Sequence, residues 1–129
     1  MAEVIFLDIE TFTNRGWGKS DKFEVFGALP GDRISATKLG RHKAKLLEVV
    51  QPATNRIQPK CPHVGMCGGC TFQQLDYAAQ LTYKQEKLKA LFSHPIKPII
   101  PCDPPFYHRN KMEYSFSQDK AGQKFLGLH

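Results

Sequence analysis

Three cysteines, Cys61, Cys67 and Cys70, lie within ten residues and have the spacing C-x5-C-x2-C. A C-x2-C pair lets two thiolates approach one metal from a tight turn, and Gly68 and Gly69 are expected to supply the positive φ angles of that turn. Exposed N–H groups there would hydrogen-bond to sulfur and lower the charge cost of a thiolate group. In a reducing compartment, crowded cysteines indicate metal ligands rather than disulfides. We therefore expect a metal site at these three residues.

The spacing leaves the metal open, because zinc and a 4Fe–4S cluster both take four ligands and both accept thiolates. Cys102 is the only other cysteine and lies 32 positions beyond Cys70 in a proline-rich stretch. It is a weak substitute for a fourth ligand, because a lone distant cysteine is more often a small structural side chain. His63 is expected to be a surface or hydrogen-bonded histidine.

Basic residues are concentrated between positions 33 and 60, where seven lysines and arginines accompany one acid, Glu48. This excess of +6 equals the net charge of the whole chain. Phosphate contacts dominate nucleic-acid affinity, so a surface of this kind suits RNA. The alternative is solubilising charge on the outer face of a strand. The predicted RNA-binding residues are Arg15, Lys19, Arg41, Lys43, Lys45, Arg109 and Lys111.

Short apolar stretches separated by turn residues occupy the first part of the chain. The predicted strands are residues 4–9, 23–26, 34–37 and 45–50, with turns at 14–16, 30–31 and 40. Four or five short strands at this spacing predict a small antiparallel β-barrel. Trp17 is expected to help close that barrel.

The second part of the chain predicts one helix and a hairpin. The helix runs from a cap at Asp76 to about Phe92, and its lysines are expected to form a solvated face. Residues 111–116 alternate like a strand, and 124–128 provide a hairpin partner after a turn at 119–122. The predicted fold class is mainly β with one helix, α+β. The chain stops just after this last strand, which suggests truncation.

Length and composition limit the remaining possibilities. A chain of 129 residues has room for one ordinary domain or two very small ones sharing a core. Its 41% hydrophobic residues argue against disorder, and its net charge of +6 favours a polyanionic partner. The N-terminus does not resemble a secretory signal, and no stretch approaches the roughly 20 apolar residues of a membrane span. We expect a cytoplasmic protein with no membrane partner.

These pieces, in this order, resemble the start of the TrmA/RumA-type RNA uracil-5-methyltransferases. Residues 14–18 and 28–33 are similar to parts of a TRAM domain, the OB-like RNA-binding barrel of many such enzymes. Residues 61–73, with their CGGCxxQ ending, are similar to the iron–sulfur motif of the family. Residues 77–81 and 109–113 match what the family places next, although His108 stands where tyrosine is common. The resemblance covers essentially the whole chain.

The resemblance implies a TRAM-like barrel at residues 1–54, followed at 55–129 by the iron–sulfur motif, the helix and the beginning of a central domain. It implies a 4Fe–4S cluster with Cys61, Cys67 and Cys70 as three ligands, and a fourth cysteine beyond His129. It also implies methylation of uracil C5 in 23S ribosomal RNA by a protein that is a monomer at full length. The S-adenosylmethionine-binding catalytic domain and its catalytic residues have no counterpart here, so this chain alone is expected to be inactive.

Two other interpretations remain open from the sequence. One is a free-standing RNA-binding module without enzymatic activity, in which Cys102 completes a structural zinc knuckle. The other is a structural fragment whose basic face binds nothing specific.

Overall fold

The computed structural model describes residues 3–128, which form eight strands and one helix. Six strands make the first sheet: β1 (Val4–Asp8), β2 (Thr11–Phe12), β3 (Gly18–Ser20), β4 (Phe23–Val25), β5 (Arg33–Lys38) and β6 (Lys43–Gln51). The helix α1 (Tyr77–Leu91) and a hairpin of β7 (Ser115–Gln118) and β8 (Lys124–Gly127) follow. The prediction of a mainly β chain with one helix is confirmed.

The six-stranded sheet has the order β1-β5-β6-β4-β3-β2, and its two edge strands are consecutive parts of one chain segment. Only Ile9 and Glu10 separate them. The N–H of Ile9 donates to Asp32 O on the β5 side, and the N–H of Glu10 donates to Lys19 O on the β3 side, both at 2.9 Å. Because one segment pairs at both ends of the sheet, the sheet curls strongly. The β4–β6 pair is parallel, which corrects the expectation of a purely antiparallel arrangement.

The inner face of the curled sheet carries the core. Strand residues alternate between two faces, so every second side chain turns inward. The buried apolar cluster consists of Ile9, Phe23, Val25, Ala28, Ile34, Ala36 and Ala44. Three of its seven members are alanines, and these small side chains suit the short radius of a tightly curled sheet.

A buried ion pair joins the sheet to the segment that leads into the cysteines. Asp32 is fully buried and accepts hydrogen bonds from the N–H groups of Leu29 and Ala53, both at 2.8 Å. Arg56 Nε lies 3.1 Å from Asp32 Oδ1, and its terminal nitrogen donates to Gly27 O at 2.8 Å. Because Arg56 is thereby committed to the fold, it does not belong to the basic surface that the sequence suggested.

The helix has the predicted bounds but lacks the predicted side-chain cap, and the hairpin begins later than predicted. Helix α1 begins at Tyr77, but the side chain of Asp76 makes no capping hydrogen bond. No residue of α1 is buried, and Leu91 and Phe92 are exposed. Strand β7 begins at Ser115 rather than at position 111. The hairpin is confirmed, since β7 and β8 pair antiparallel with Phe116 opposite Leu126.

No helix within residues 3–128 has the length and apolar character that crossing a membrane requires.

Candidate functional site

The cysteine segment folds as a series of tight turns. The N–H of Cys67 donates to His63 O at 2.9 Å, which closes a turn around Gly65. Gly65 has a φ of 94°, so the left-handed residue is here and not at Gly68 or Gly69, where the sequence predicted it. A Cβ at Gly69 would lie 2.9 Å from Leu128 Cδ1 and 3.4 Å from Cys67 Sγ, so a larger residue there would require the Leu128 side chain to move.

Hydrogen bonds to sulfur are present at two of the three cysteines. The N–H of Gly69 donates to Cys67 Sγ at 3.4 Å, and Gln73 Nε2 donates to Cys70 Sγ at 3.6 Å. Gln73 Oε1 also accepts the N–H of Cys61 at 2.7 Å. One glutamine therefore links the first and third cysteines of the motif. Hydrogen-bond donors of this kind stabilise thiolates, orient them as ligands and adjust the redox potential of a bound metal group.

The donor chemistry at these cysteines fits a thiolate-bound group. All four cysteines are free thiols, and Cys61 and Cys67 are half-buried. Within residues 3–128, no three side chains of His, Cys, Asp or Glu converge on a single metal-ion position. A 4Fe–4S cluster sets a different geometric requirement, because each of its thiolates ligates a different iron. Cys102 Sγ donates to Pro104 O at 3.2 Å, and its N–H donates to Tyr77 Oη.

An aromatic cluster holds the cysteine segment against the sheet and the helix. Phe72 packs edge-on against Phe12 at 5.4 Å and against Tyr83 at 5.2 Å, measured between ring centroids. Gln80 Nε2 donates to the carbonyl groups of Phe72 and Leu75 at 3.0 and 2.9 Å. These contacts bring β2, the segment after Cys70 and α1 together, so the cysteines have a defined position relative to the sheet.

One exposed face of the sheet carries three of the predicted RNA-binding lysines. Lys19 is opposite Glu24, and Glu24 is opposite Lys43, across three neighbouring strands. Residues directly opposite on paired strands share a face, and Lys45 shares it too because it lies two positions beyond Lys43. All three lysines are exposed, and Glu24 is the acid between two of them. The structure thus brings together residues that are far apart in sequence.

Several other basic residues between positions 33 and 60 have partners. The pairs are Arg33 with Asp8, Lys38 with Glu3, Arg56 with Asp32, and Lys60 with the Tyr107 hydroxyl. Arg41, Lys43 and Lys45 have no ion-pair or hydrogen-bond partner for their side chains among residues 3–128. Between positions 33 and 60, fewer cations are therefore available for a ligand than the sequence count suggested. The available ones lie on β6 and in the turn before it.

A cavity of about 760 Å³ lies between the loop after β2, the cysteine segment, α1 and residues 102–109. Its charged lining residues are all cations: Arg15, Lys84, Lys87 and Arg109. Arg15 and Arg109 were predicted as RNA-binding residues from the sequence. Lys84 and Lys87 were not, because their helix face was expected to be simply solvated. The sequence could have identified this pair of lysines, because residues three positions apart lie on the same face of a helix.

The last predicted RNA-binding residue, Lys111, does not join this group. Lys111 Nζ lies 3.0 Å from the Glu113 carboxylate, and both side chains are 82% exposed. It does not line the cavity that contains Arg109.

No model of a known protein family matches the chain. It is 42% identical to an uncharacterized RNA methyltransferase of Protochlamydia amoebophila over 115 residues, which are 81% of this chain and 26% of that protein. It is 36% identical to an uncharacterized RNA methyltransferase of Caldanaerobacter subterraneus, over 98% of this chain and 31% of that protein. It is 37% identical to the 23S rRNA (uracil(1939)-C(5))-methyltransferase RlmD of Bordetella pertussis, over 100% of this chain and 30% of that protein. The chain therefore has homologues among RNA methyltransferases and spans between a quarter and a third of their length.

Proposed function

We propose that this chain is the RNA-binding part of an S-adenosylmethionine-dependent methyltransferase that acts on uracil C5 of 23S ribosomal RNA. The observation that carries the proposal is the exposed sheet face with Lys19, Lys43 and Lys45, found in a homologue of RNA methyltransferases. In this proposal residues 1–54 are an OB-like TRAM barrel that holds the RNA. The methyl donor and the catalytic residues belong to another domain of the protein.

The chemistry of the sheet face suits a flexible polyanion. Lysine side chains on neighbouring strands can each contact a phosphate group. Such contacts fix the orientation of the RNA without recognising its base sequence. Phe6 is an exposed aromatic side chain on the outer face of β1, a residue that sequence reasoning did not single out. Phe6 is paired with Ser35 of β5, and an exposed aromatic ring on a sheet that also carries lysines can stack on an unpaired base.

Salt dependence tests this surface. RNA binding is measured by fluorescence anisotropy over a range of salt concentrations for the unchanged chain and for a variant with Lys19, Lys43 and Lys45 replaced by Gln. Each lost phosphate contact lowers the slope of log affinity against log salt by about 0.7 for a single strand, so the variant slope should fall by about 2.

The matched control replaces Lys97, Lys120 and Lys124 by Gln. These lysines are exposed and outside the six-stranded sheet, and the change in net charge is the same. Its slope should stay close to that of the unchanged chain. An equal loss of slope in the two variants would show that only net charge matters and would reject the sheet face.

We also propose that Cys61, Cys67 and Cys70 hold a 4Fe–4S cluster whose fourth ligand is not Cys102. The hydrogen bonds to the sulfurs of Cys67 and Cys70 support this, as does the link that Gln73 makes to Cys61. The role of such a cluster here is structural, because methyl transfer to uracil moves no electron. These residues would keep the turns of the cysteine segment in one arrangement against the sheet and the helix.

Metal analysis separates this proposal from the zinc alternative. The chain is reconstituted without oxygen from iron, sulfide and excess small thiol, which can supply the fourth ligand, and its iron, sulfide and zinc contents are then measured. Replacing Cys67 by Ser should abolish iron binding, whereas replacing Cys102 by Ser should leave it unchanged. Stoichiometric zinc that depends on Cys102 would instead support the zinc knuckle.

A further inference from the structure

The cavity beside Cys70 has the charge of an anion-binding site. Its lining contains four cations and no carboxylate, although the chain has 12 acidic residues. Lys87 Nζ donates to Asn14 O at 2.7 Å, and Arg15 lies over the ring of Trp17. Lys84 and Arg109 have no ion-pair partner among residues 3–128. Two cations thus stabilise the walls of the cavity, and two remain available for a ligand.

An exposed aromatic residue lines the same cavity. Tyr107 is 86% exposed and has a φ of 64°. Such a backbone conformation is strained for a bulky residue, and an exposed ring recovers little of that cost by packing. Its hydroxyl accepts a hydrogen bond from Lys60, whose Nζ lies 4.4 Å from the ring centroid. Residues held in strained conformations are concentrated at ligand-binding sites, which makes Tyr107 a candidate contact residue.

We propose that this cavity binds one unpaired nucleotide of the RNA, with its base stacked on Tyr107 and its phosphate held by Arg109 and Lys84. The inference rests on the proposed RNA-binding function and adds a second site, distinct from the sheet face of β3 and β6. The volume of about 760 Å³ falls within the range of sites that enclose small ligands. A base within a duplex cannot present its face to a side chain, so the ligand must be unstacked.

Stacking and phosphate contacts leave different traces in a salt titration. Stacking of a base on a ring neutralises no phosphate charge, so its contribution to the binding free energy does not depend on salt. Losing it therefore lowers the affinity by the same factor at every salt concentration. Replacing Tyr107 by Ala should therefore lower affinity for single-stranded RNA by about tenfold without changing the slope. Replacing Arg109 by Gln should lower the slope by about 0.7, the effect of one phosphate contact.

Two variants serve as controls for Tyr107→Ala. Phe116→Ala removes an aromatic ring that is 85% exposed but lies on β7, outside the cavity. Tyr107→Phe keeps the ring and removes only the hydroxyl that contacts Lys60. Both should bind RNA as the unchanged chain does, and all three variants should retain the circular dichroism spectrum and melting temperature of the unchanged chain.

The outcomes of this experiment separate the two proposals. If Tyr107→Ala has the same affinity for RNA as Phe116→Ala, the cavity inference is overturned. The sheet face is then judged separately, by the salt titration of the sheet variant. If the sheet variant keeps its slope but Tyr107→Ala still loses affinity, the cavity inference stands and the sheet face fails. A duplex of the same sequence that competes as well as the single strand would overturn the cavity inference, and a chain that binds no RNA would overturn both.

Discussion

Removing one partner of the buried pair of Asp32 and Arg56 should destabilise the chain strongly. The Asp32 side chain has no solvent exposure, and its carboxylate accepts two backbone N–H groups besides the guanidinium. Replacing Asp32 by Asn removes the charge that compensates Arg56, whose side chain is only 17% exposed, and turns an amide donor towards N–H groups. Breaking a buried pair in this way costs about 3–5 kcal/mol, a large part of the roughly 5–15 kcal/mol that stabilises an ordinary domain.

Urea unfolding followed by circular dichroism measures this cost. The control is Asp8→Asn, because Asp8 pairs with Arg33 at 3.0 Å on the surface, where its side chain is 71% exposed. An exposed pair contributes about 0–1 kcal/mol, so the two variants should differ clearly in their free energies of unfolding. If Asp32→Asn destabilises the chain no more than Asp8→Asn does, the buried pair does not connect the sheet to the cysteine segment as we describe.

Two further substitutions probe how the sheet meets the cysteine segment. Gly16 has a φ of 79°, and a Cβ there would lie 2.5 Å from Phe72 Cζ, so Gly16→Ala should destabilise the chain by about 1–3 kcal/mol. Gly40→Ala, with no atom within 4 Å of the added Cβ, should be nearly neutral in the same urea unfolding experiment. Leu75 is 1% exposed, so Leu75→Ala should cost about 2–5 kcal/mol, whereas Leu47→Ala at a half-exposed position should cost less than about 1 kcal/mol. Equal losses within either pair of variants would contradict the packing that the structure shows.

Local patterns were enough to predict the elements, because strands, turns and hairpins depend on residues close together in sequence. The alternation of apolar residues placed β1, β5 and β6 close to their observed positions, and the turn at 119–122 predicted the pairing of β7 with β8. The short strands β2 and β3 were missed because two or three residues are too few to show a period. No residue of α1 is fully buried: Tyr77, Leu81 and Tyr83 are half-buried, whereas Leu88 and Leu91 are exposed.

The sequence by itself determined the cysteine spacing, the strand-rich first half and the excess of positive charge. Only the tertiary structure decided which cations are available, because an ion pair such as Asp32 with Arg56 joins residues that are 24 positions apart. It also decided that Arg15, Lys84 and Arg109 line one cavity and that Lys19 and Lys43 share one sheet face. Such groupings depend on how the sheet curls and how the helix packs against it, and no local period in the sequence records them.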